Sequence, residues 1–405
     1  MIKLSLFLIS ISLLTACGNK DDSPLALKAY NQKCLEGKIR GQFLVKYSNG
    51  THEIVPASSA GDFFNKILSP EKIELLNKKN ISISGVDHNF RVRIKSTPPP
   101  PPNSTPTSDP NAGPRMLNAP YLWEQGFYGQ NVVTALIDSG YDTSHVLLKD
   151  SVSINSLEHG LDEDNNQLIN DVLGWDFVNN TPLTGDLGFH GTIVGSIIAA
   201  DHAGSIKFSM APGSKIVPIT ALEADGEGIT SASGDSNSVL SSIDYAMARD
   251  VDFINASWAG DICSKFIRQK IKAATDANII FVTSAGNEST DLDEKPIFPG
   301  SFPFSLIATV GAVNLDSSRQ EDSNYGHVVD FFSLGSNVAA AAPHSFLTTA
   351  SGTSVAAPFI TGGLALLKSA FPTASPATLL NALEKSKNNK KIPDLKRAFL
   401  ELKSQ

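Results

Sequence analysis

Five apolar runs of strand length, interleaved with helical patterns, constrain this chain more than any other feature. The runs fall at residues 132–137, 215–222, 251–256, 278–285 and 305–313, and helical patterns occupy 236–250, 264–277 and 354–371. Near-continuous apolar strands alternating with helices belong to a mainly parallel sheet, because each parallel step needs a crossover long enough to bring the chain back. The expected fold is therefore α/β, with helices on both faces of the sheet. A last amphipathic helix opens at Ser375-Pro376, with Leu379, Leu380 and Leu383 along one side.

At 405 residues, 41% of them hydrophobic, the chain can bury a large core and holds room for more than one domain. The region upstream of the alternating segment divides by composition. Residues 1–17 carry Lys3, an apolar run from Leu4 to Leu14, and then Leu14-Thr15-Ala16-Cys17. The apolar run is too short to span a bilayer comfortably. It resembles a bacterial lipoprotein signal, which makes Cys17 the lipidated residue and residues 18–35 a polar tether; Gly18 rather than Asp after the cysteine implies the outer membrane where one exists. Residues 36–95 read as a small α+β unit: Phe43, Val45 and Tyr47 alternate, Ser69-Pro70-Glu71 starts a helix, and Ile81, Ile83, Phe90, Val92 and Ile94 alternate again. Residues 96–114 form a proline-rich linker, poorly able to pack. The formal net charge of −8 offers no basic surface for nucleic acid.

Three residues in the 115–405 segment carry candidate chemistry. Asp138 follows the run Val132-Val133-Thr134-Ala135-Leu136-Ile137, at the rim of the sheet where open α/β folds place their sites. His190 opens the small-residue helix Gly191-Thr192-Ile193-Val194-Gly195-Ser196-Ile197-Ile198-Ala199-Ala200. Ser354 lies in Ser351-Gly352-Thr353-Ser354-Val355-Ala356-Ala357-Pro358 at a helix N-terminus, where free N–H groups favour developing negative charge, and Pro358 is expected to sit near the first turn. A hydroxyl becomes a nucleophile when an imidazole takes its proton, and a carboxylate fixes that imidazole. Singly, an Asp after a strand is a turn residue and Gly-Thr-Ser is a common loop; only the combination is specific. The Gly-x-Ser-x-Gly elbow of α/β-hydrolases is disfavoured, because Ala356 replaces the final Gly and that fold runs Ser, acid, His.

These segments resemble the subtilisin-like serine peptidases, the subtilases, whose triad runs in the same order of Asp, His, Ser. The likeness extends through Met210-Ala211-Pro212-Gly213, Ser257-Trp258-Ala259-Gly260, Thr283-Ser284-Ala285-Gly286-Asn287 and Ser323-Asn324-Tyr325-Gly326. It implies that Asn287 and the Ser354 N–H hold the oxyanion, and that no cofactor takes part in the chemistry. An extended substrate is implied to pair with two edges, matched to Gly226-Glu227-Gly228 and Ser257-Trp258-Ala259-Gly260, while Ile297 stands where a small pocket-floor residue is common. The 36–95 unit resembles the family's inhibitory propeptide; an unrelated adaptor domain is the alternative. Ser196, Val355 and Leu334 depart from the family pattern without removing a catalytic group.

Two further features stay open at this level. The acidic stretch from Asp162 to Asp171 opens like a calcium-binding loop, which makes Asp162, Asp164, Asn166 and Asp171 candidate ligands of a structural calcium. Gln167 and Leu173 depart from that pattern, and a solvated acidic loop is the alternative. Cys34 and Cys263 would be able to form a bridge in an oxidising compartment, or Cys263 is a small buried hydrophobe.

The reading is an exported, lipid-anchored serine endopeptidase made as a self-processing zymogen. Its partners are protein or peptide substrates, its own propeptide and, through the anchor, the bacterial envelope; cutting the linker would release the protease from the lipid. The rival is a catalytically silent envelope protein that binds peptides or a partner.

Overall fold

The computed structural model describes residues 42–57, 60–67, 69–79, 81, 83–88, 91–94 and 109–405, except 159, 165, 187, 225–231 and 262. Cys17, Cys34 and the expected edge Gly226-Glu227-Gly228 lie outside these residues.

An eight-stranded sheet forms the centre, in the spatial order Phe331–Leu334, Ile307–Val313, Ile280–Ser284, Phe253–Ala256, Val133–Asp138, Lys215–Thr220, Trp175–Asp176 and Thr181–Pro182. Every neighbouring pair is parallel except the last, a short antiparallel turn-back. Chain order reverses between Val133–Asp138 and Phe253–Ala256: the chain adds Lys215–Thr220 on one side and then grows outward on the other. That switch point opens a crevice at the carboxyl ends of the two strands.

The five apolar runs are thus strands, and the helices lie where the periodicity puts them, at Ser236–Ala248, Lys265–Asp276 and Thr353–Ala370. The Thr353–Ala370 and His190–Ala199 helices share one core with the sheet, around Ile193, Ile197, Val282, Val310 and Leu364. The opposite face buries Ile254, Phe281, Leu240 and Ile271 in a second core. Each such aliphatic side chain taken fully from water contributes about 1.5–3 kcal/mol, enough in sum to hold both helix layers on the sheet.

Local signals set the helix ends. Asp235, Ser264, Ser375 and Asp394 each accept a backbone N–H from the first turn of their helices. Pro358 is an exception to expectation: it lies in the second turn of its helix, beyond the positions whose N–H is free in any helix. The Val338–Ala342 and Phe346–Ala350 hairpin gave no strand signal, because alanine-rich sequence has no β preference. It packs on the His190 helix, where the Ser196 hydroxyl accepts the Ala341 N–H at 2.9 Å, giving that departure from the family pattern a structural role.

The N-terminal unit is a separate three-stranded antiparallel sheet, ordered His52–Pro56, Gln42–Tyr47, Ile83–His88, backed by helices Ala60–Ile67 and Pro70–Lys78. Val45, Tyr47, Val55, Phe63 and Ile67 make its own core. It rests on the Lys265–Asp276 helix: the Ser264 hydroxyl and Lys265 N–H donate to the Asp87 carboxylate at 3.2 and 3.0 Å, and the His52 and Phe266 rings lie 6.2 Å apart. A carboxylate at a helix N-terminus meets the positive end of the helix dipole. Residues 91–94, read as part of the 36–95 unit, pair outside this sheet, with Ala232–Asp235. Cys263 is a free, buried thiol in the second core, in accord with its reading as a small hydrophobe. Among the described residues no helix is long and apolar enough to cross a membrane.

Candidate active site

Asp138 is the last residue of its strand, at the switch point, and its side chain is fully buried. The His190 Nδ1–H donates to the Asp138 carboxylate at 2.8 Å, since an ionised carboxylate can only accept. That leaves Nε2 as the basic nitrogen. Both His190 Nε2 and Ser354 Oγ are buried with no hydrogen-bond partner among the described residues. Buried polar groups are nearly always partnered, so an orphan at the start of each of two packed helices marks a candidate place of reaction.

A second carboxylate braces this pair. Asp186 accepts from the Ser139 hydroxyl at 2.9 Å and Gly188 N–H at 3.0 Å through one oxygen, and from Thr192 N–H and hydroxyl, both at 2.7 Å, through the other. The Ser139 hydroxyl in turn accepts the Gly191 N–H at 3.0 Å. The loop after Asp138 is thereby tied to the first turn of the His190 helix. Burial pushes the Asp186 carboxyl above the usual carboxylate range, with the Thr192 hydrogen bonds opposing it. Sequence analysis does not single out this residue, because it lies upstream of the N-cap position where an acid announces a helix start.

Ser354 occupies the second position of its helix, after Gly352 at φ 132°, a left-handed conformation that favours glycine. The Asn287 Oδ1 accepts the Thr353 N–H at 2.9 Å, and the Gly286 N–H donates to the Thr353 hydroxyl at 3.1 Å. With its oxygen fixed on Thr353, the Asn287 amide presents its NH₂ end beside Gly352. Asp138 thus meets His190, and Asn287 meets the start of the Ser354 helix, each pair joining the chain after a strand to the start of a helix.

The groove differs from expectation in detail. Arg91–Ile94 pairs antiparallel with Ala232–Asp235, setting Ile94 opposite Ala232 and Val92 opposite Gly234. On its other side Arg93 exchanges both backbone hydrogen bonds with Ala259, at 3.1 and 3.2 Å. The described edge is therefore Ala232–Asp235. Within the second edge only Ala259 pairs with the strand: Gly260 exchanges hydrogen bonds with Phe298, and Ser257 accepts from the Asn255 amide at 3.0 Å. Trp258 is a core residue whose Nε1–H donates to the Ile137 carbonyl at 3.0 Å. Ile297 is buried with Ala285, Leu292 and Val329.

In the acidic loop, oxygens of Glu158, Asp164 and Asp171 lie within 4.8 Å of one another. Asn155 and Asn166 donate to Asp164 and Asp171. Asp162 instead accepts the Gln167 N–H at 3.1 Å, and Gln167 takes the left-handed turn conformation, φ 70°, that a glycine would serve. Glu158 was missing from the expected set because it precedes the loop; its carboxylate accepts the N–H groups of Glu163, Asp164 and Asn170. An all-oxygen cluster with two buried carboxylates fits a hard cation such as calcium.

Residues 129–399 match the subtilase family. The chain is 29% identical over 276 residues to subtilisin DY from Bacillus licheniformis, covering 68% of this chain and 90% of that one. It is 30% identical over 271 residues to a subtilisin from Bacillus pumilus, covering 66% and 88%. The major intracellular serine protease of Bacillus subtilis (strain 168) is 28% identical over 260 residues, covering 64% and 74%.

Proposed function

The chain belongs to the subtilase family and is a serine endopeptidase, and from that premise we propose that Ser354, His190, Asp138 and Asn287 perform the reaction. Ser354 Oγ attacks the peptide carbonyl as His190 Nε2 takes its proton. The tetrahedral oxyanion is held by the Asn287 amide and the Ser354 N–H; collapse breaks the C–N bond, and His190 returns the proton to the leaving amine. Water, activated by the same imidazole, then hydrolyses the acyl-enzyme. Asp138 holds the tautomer and steadies the imidazolium. Subtilases need no cofactor for this chemistry. The observation that carries the assignment is the Asp138–His190 hydrogen bond, with Nε2 and Ser354 Oγ buried and unpartnered.

The N-terminal unit acts as an inhibitory propeptide in this reading, and the chain is a self-processing zymogen. Support comes from Arg91–Ile94, which fills the cleft between Ala232–Asp235 and Ala259 just upstream of the linker. Export and a lipid anchor at Cys17 rest on the sequence of residues 1–17 alone. A structural calcium held by Glu158, Asp164 and Asp171, with Asn166 alongside, would fasten the loop that leads into the Trp175–Asp176 strand, next to Lys215–Thr220 in the sheet.

The test is expression of residues 18–405 as wild type and as Ser354→Ala, with intact masses followed over time and casein hydrolysis measured. A cut near residues 96–114 in the wild type alone is the expected result. A wild type that stays whole and leaves casein untouched would overturn the self-processing reading and favour the silent envelope protein.

A further inference from the structure

Charge is spread unevenly along this chain. Residues 385–403 hold seven lysines and arginines against two acidic residues, whereas the whole sequence has 33 against 41. They span the end of helix Pro376–Ser386, the turn after it and helix Leu395–Lys403. The inner side of the second helix buries Leu395, Ala398, Phe399 and Leu402. Its outer side turns Lys396, Arg397, Leu400 and Lys403 to water. Positions 396, 400 and 403 share one face at helical spacing, so a leucine that is 45% exposed stands between two cations. Lys385 and Lys387 are paired with Glu401 and Glu384, but among the described residues Lys390, Lys396, Arg397 and Lys403 make no ion pair. The Lys396 ammonium lies over the Tyr121 ring at 5.1 Å, a contact that leaves its charge unneutralised.

The place of this face in the fold gives it a direction. Ser354 opens a helix of 18 residues, about 27 Å long at the usual rise, and Phe371, just past its other end, meets Phe399 with ring centroids 5.2 Å apart. Lys387 Nζ donates to the Asp330 carbonyl at 3.2 Å, immediately before the Phe331–Leu334 strand, whereas Asp138 ends its own strand in the same parallel set. The cationic face and the reacting groups therefore lie at opposite ends of the catalytic domain.

We propose that the face formed by Lys390, Lys396, Arg397, Leu400 and Lys403 docks on the phosphate headgroups of an anionic bilayer and holds the catalytic cleft pointed away from the lipid. Unpaired cations on long, flexible stems gather about anionic headgroups, and a leucine among them enters the boundary of the acyl chains. The contact needs no lipid on the chain, so a protease cut from its N-terminal unit stays on the surface until salt screens the attraction. Docking rests on the placement of charge alone; only the orientation uses the catalytic assignment.

The experiment sediments the chain from residue 18 onward, carrying Ser354→Ala and no acyl group, with vesicles of phosphatidylcholine alone or with one-third phosphatidylglycerol. Partition into the anionic vesicles alone is expected at low salt, and its loss at high salt. Lys390→Gln, Lys396→Gln and Arg397→Gln together are expected to lower the partition coefficient by about 100-fold, at about 5-fold for each cation removed from the surface, with an unchanged thermal midpoint. Lys78→Gln, Lys79→Gln and Lys295→Gln alter the net charge equally at exposed positions elsewhere and are expected to leave partition nearly unchanged. Absence of partition at low salt, or equal losses in the two triple variants, would overturn the proposal. So would retention on a DNA duplex but not on the vesicles. Casein hydrolysis by the matured wild type is expected to proceed undiminished with anionic vesicles present; inhibition by vesicles that the first triple variant escapes would refute the orientation.

Discussion

The backbone N–H of Thr353 donates to the side-chain oxygen of Asn287 at 2.9 Å, so the residue before the nucleophile sets which way the oxyanion donor faces. Asn287→Ala removes one donor to the transition state while leaving the ground-state pairing of substrate with the two edges intact. The expected outcome is a fall in kcat on the order of 100- to 1000-fold with KM nearly unchanged, the size of loss found when subtilisin's own donor is removed. Steady-state kinetics on a peptide substrate read both constants. A change confined to KM would take Asn287 out of the oxyanion site.

Asp186→Asn keeps the shape of the side chain but converts one accepting oxygen into a donor, so part of the set from Ser139, Gly188 and Thr192 loses its acceptor. Each buried donor left unpaired costs about 1–3 kcal/mol. A lower midpoint of thermal unfolding is expected together with a lower kcat and an unchanged KM, because the Asp138 loop and the His190 helix lose their shared brace. Asp186→Glu restores the charge without the geometry and should not rescue kcat. Full activity in Asp186→Asn would show that Asp138 and His190 hold their places alone.

The acidic loop makes a prediction with no need of catalysis. Millimolar calcium is expected to raise the thermal midpoint of the Ser354→Ala protein and a chelator to lower it; saturation at about 100 times the dissociation constant adds about 2.7 kcal/mol, or about 2–4 °C for each kcal/mol in a domain of this size. Glu158→Gln should abolish the response, and Asp162→Asn should leave most of it, since Asp162 stands apart from the convergent oxygens. Identical melting curves in calcium and in chelator would discard the site.

Docking of the N-terminal unit should weaken in acid. Burial, with Lys270 and Lys46 adding repulsion, holds the His52 imidazole down at about 4, against an ordinary value of 6.5. Between those values a freed unit takes up a proton that the docked one refuses, so the stabilisation is whole above pH 6.5 and declines as the pH falls toward 4. After processing, the two pieces are expected to co-elute in size-exclusion chromatography at pH 7.5 and to separate near pH 5. His52→Leu should keep them together at both, and separation of that variant at pH 5 would assign the effect to other groups.

Hydrophobic period was enough to find the strands and the main helices, while local motif and family resemblance named Asp138, His190, Asn287 and Ser354, because each is written in contiguous residues. What escaped depends on convergence. Glu158 reaches Asp164 and Asp171 only after the loop folds back, and Asp186 shows its purpose only when Ser139 and Thr192 are both beside it. The groove edge that the family resemblance implies at 226–228 lies outside the described residues, and the strand that pairs with Arg91–Ile94, Ala232–Asp235, has no apolar alternation to announce it. Val92 and Ile94 were correctly read as one face of a strand; alternation gives a face but never names the neighbour.

The cleft between Ala232–Asp235 and Ala259 is one strand wide, and Arg91–Ile94 fills it. Bare strand edges ordinarily court other sheets and lead to aggregation. These two look at each other across a slot, so a folded neighbour, whose strands are already committed side by side, cannot present an edge to both. Only a single chain free of its own partners can thread between them. The enzyme would thus spare compact proteins and take loose tails, surface loops and unfolded chains, a choice made by the width of the slot before any side chain is inspected.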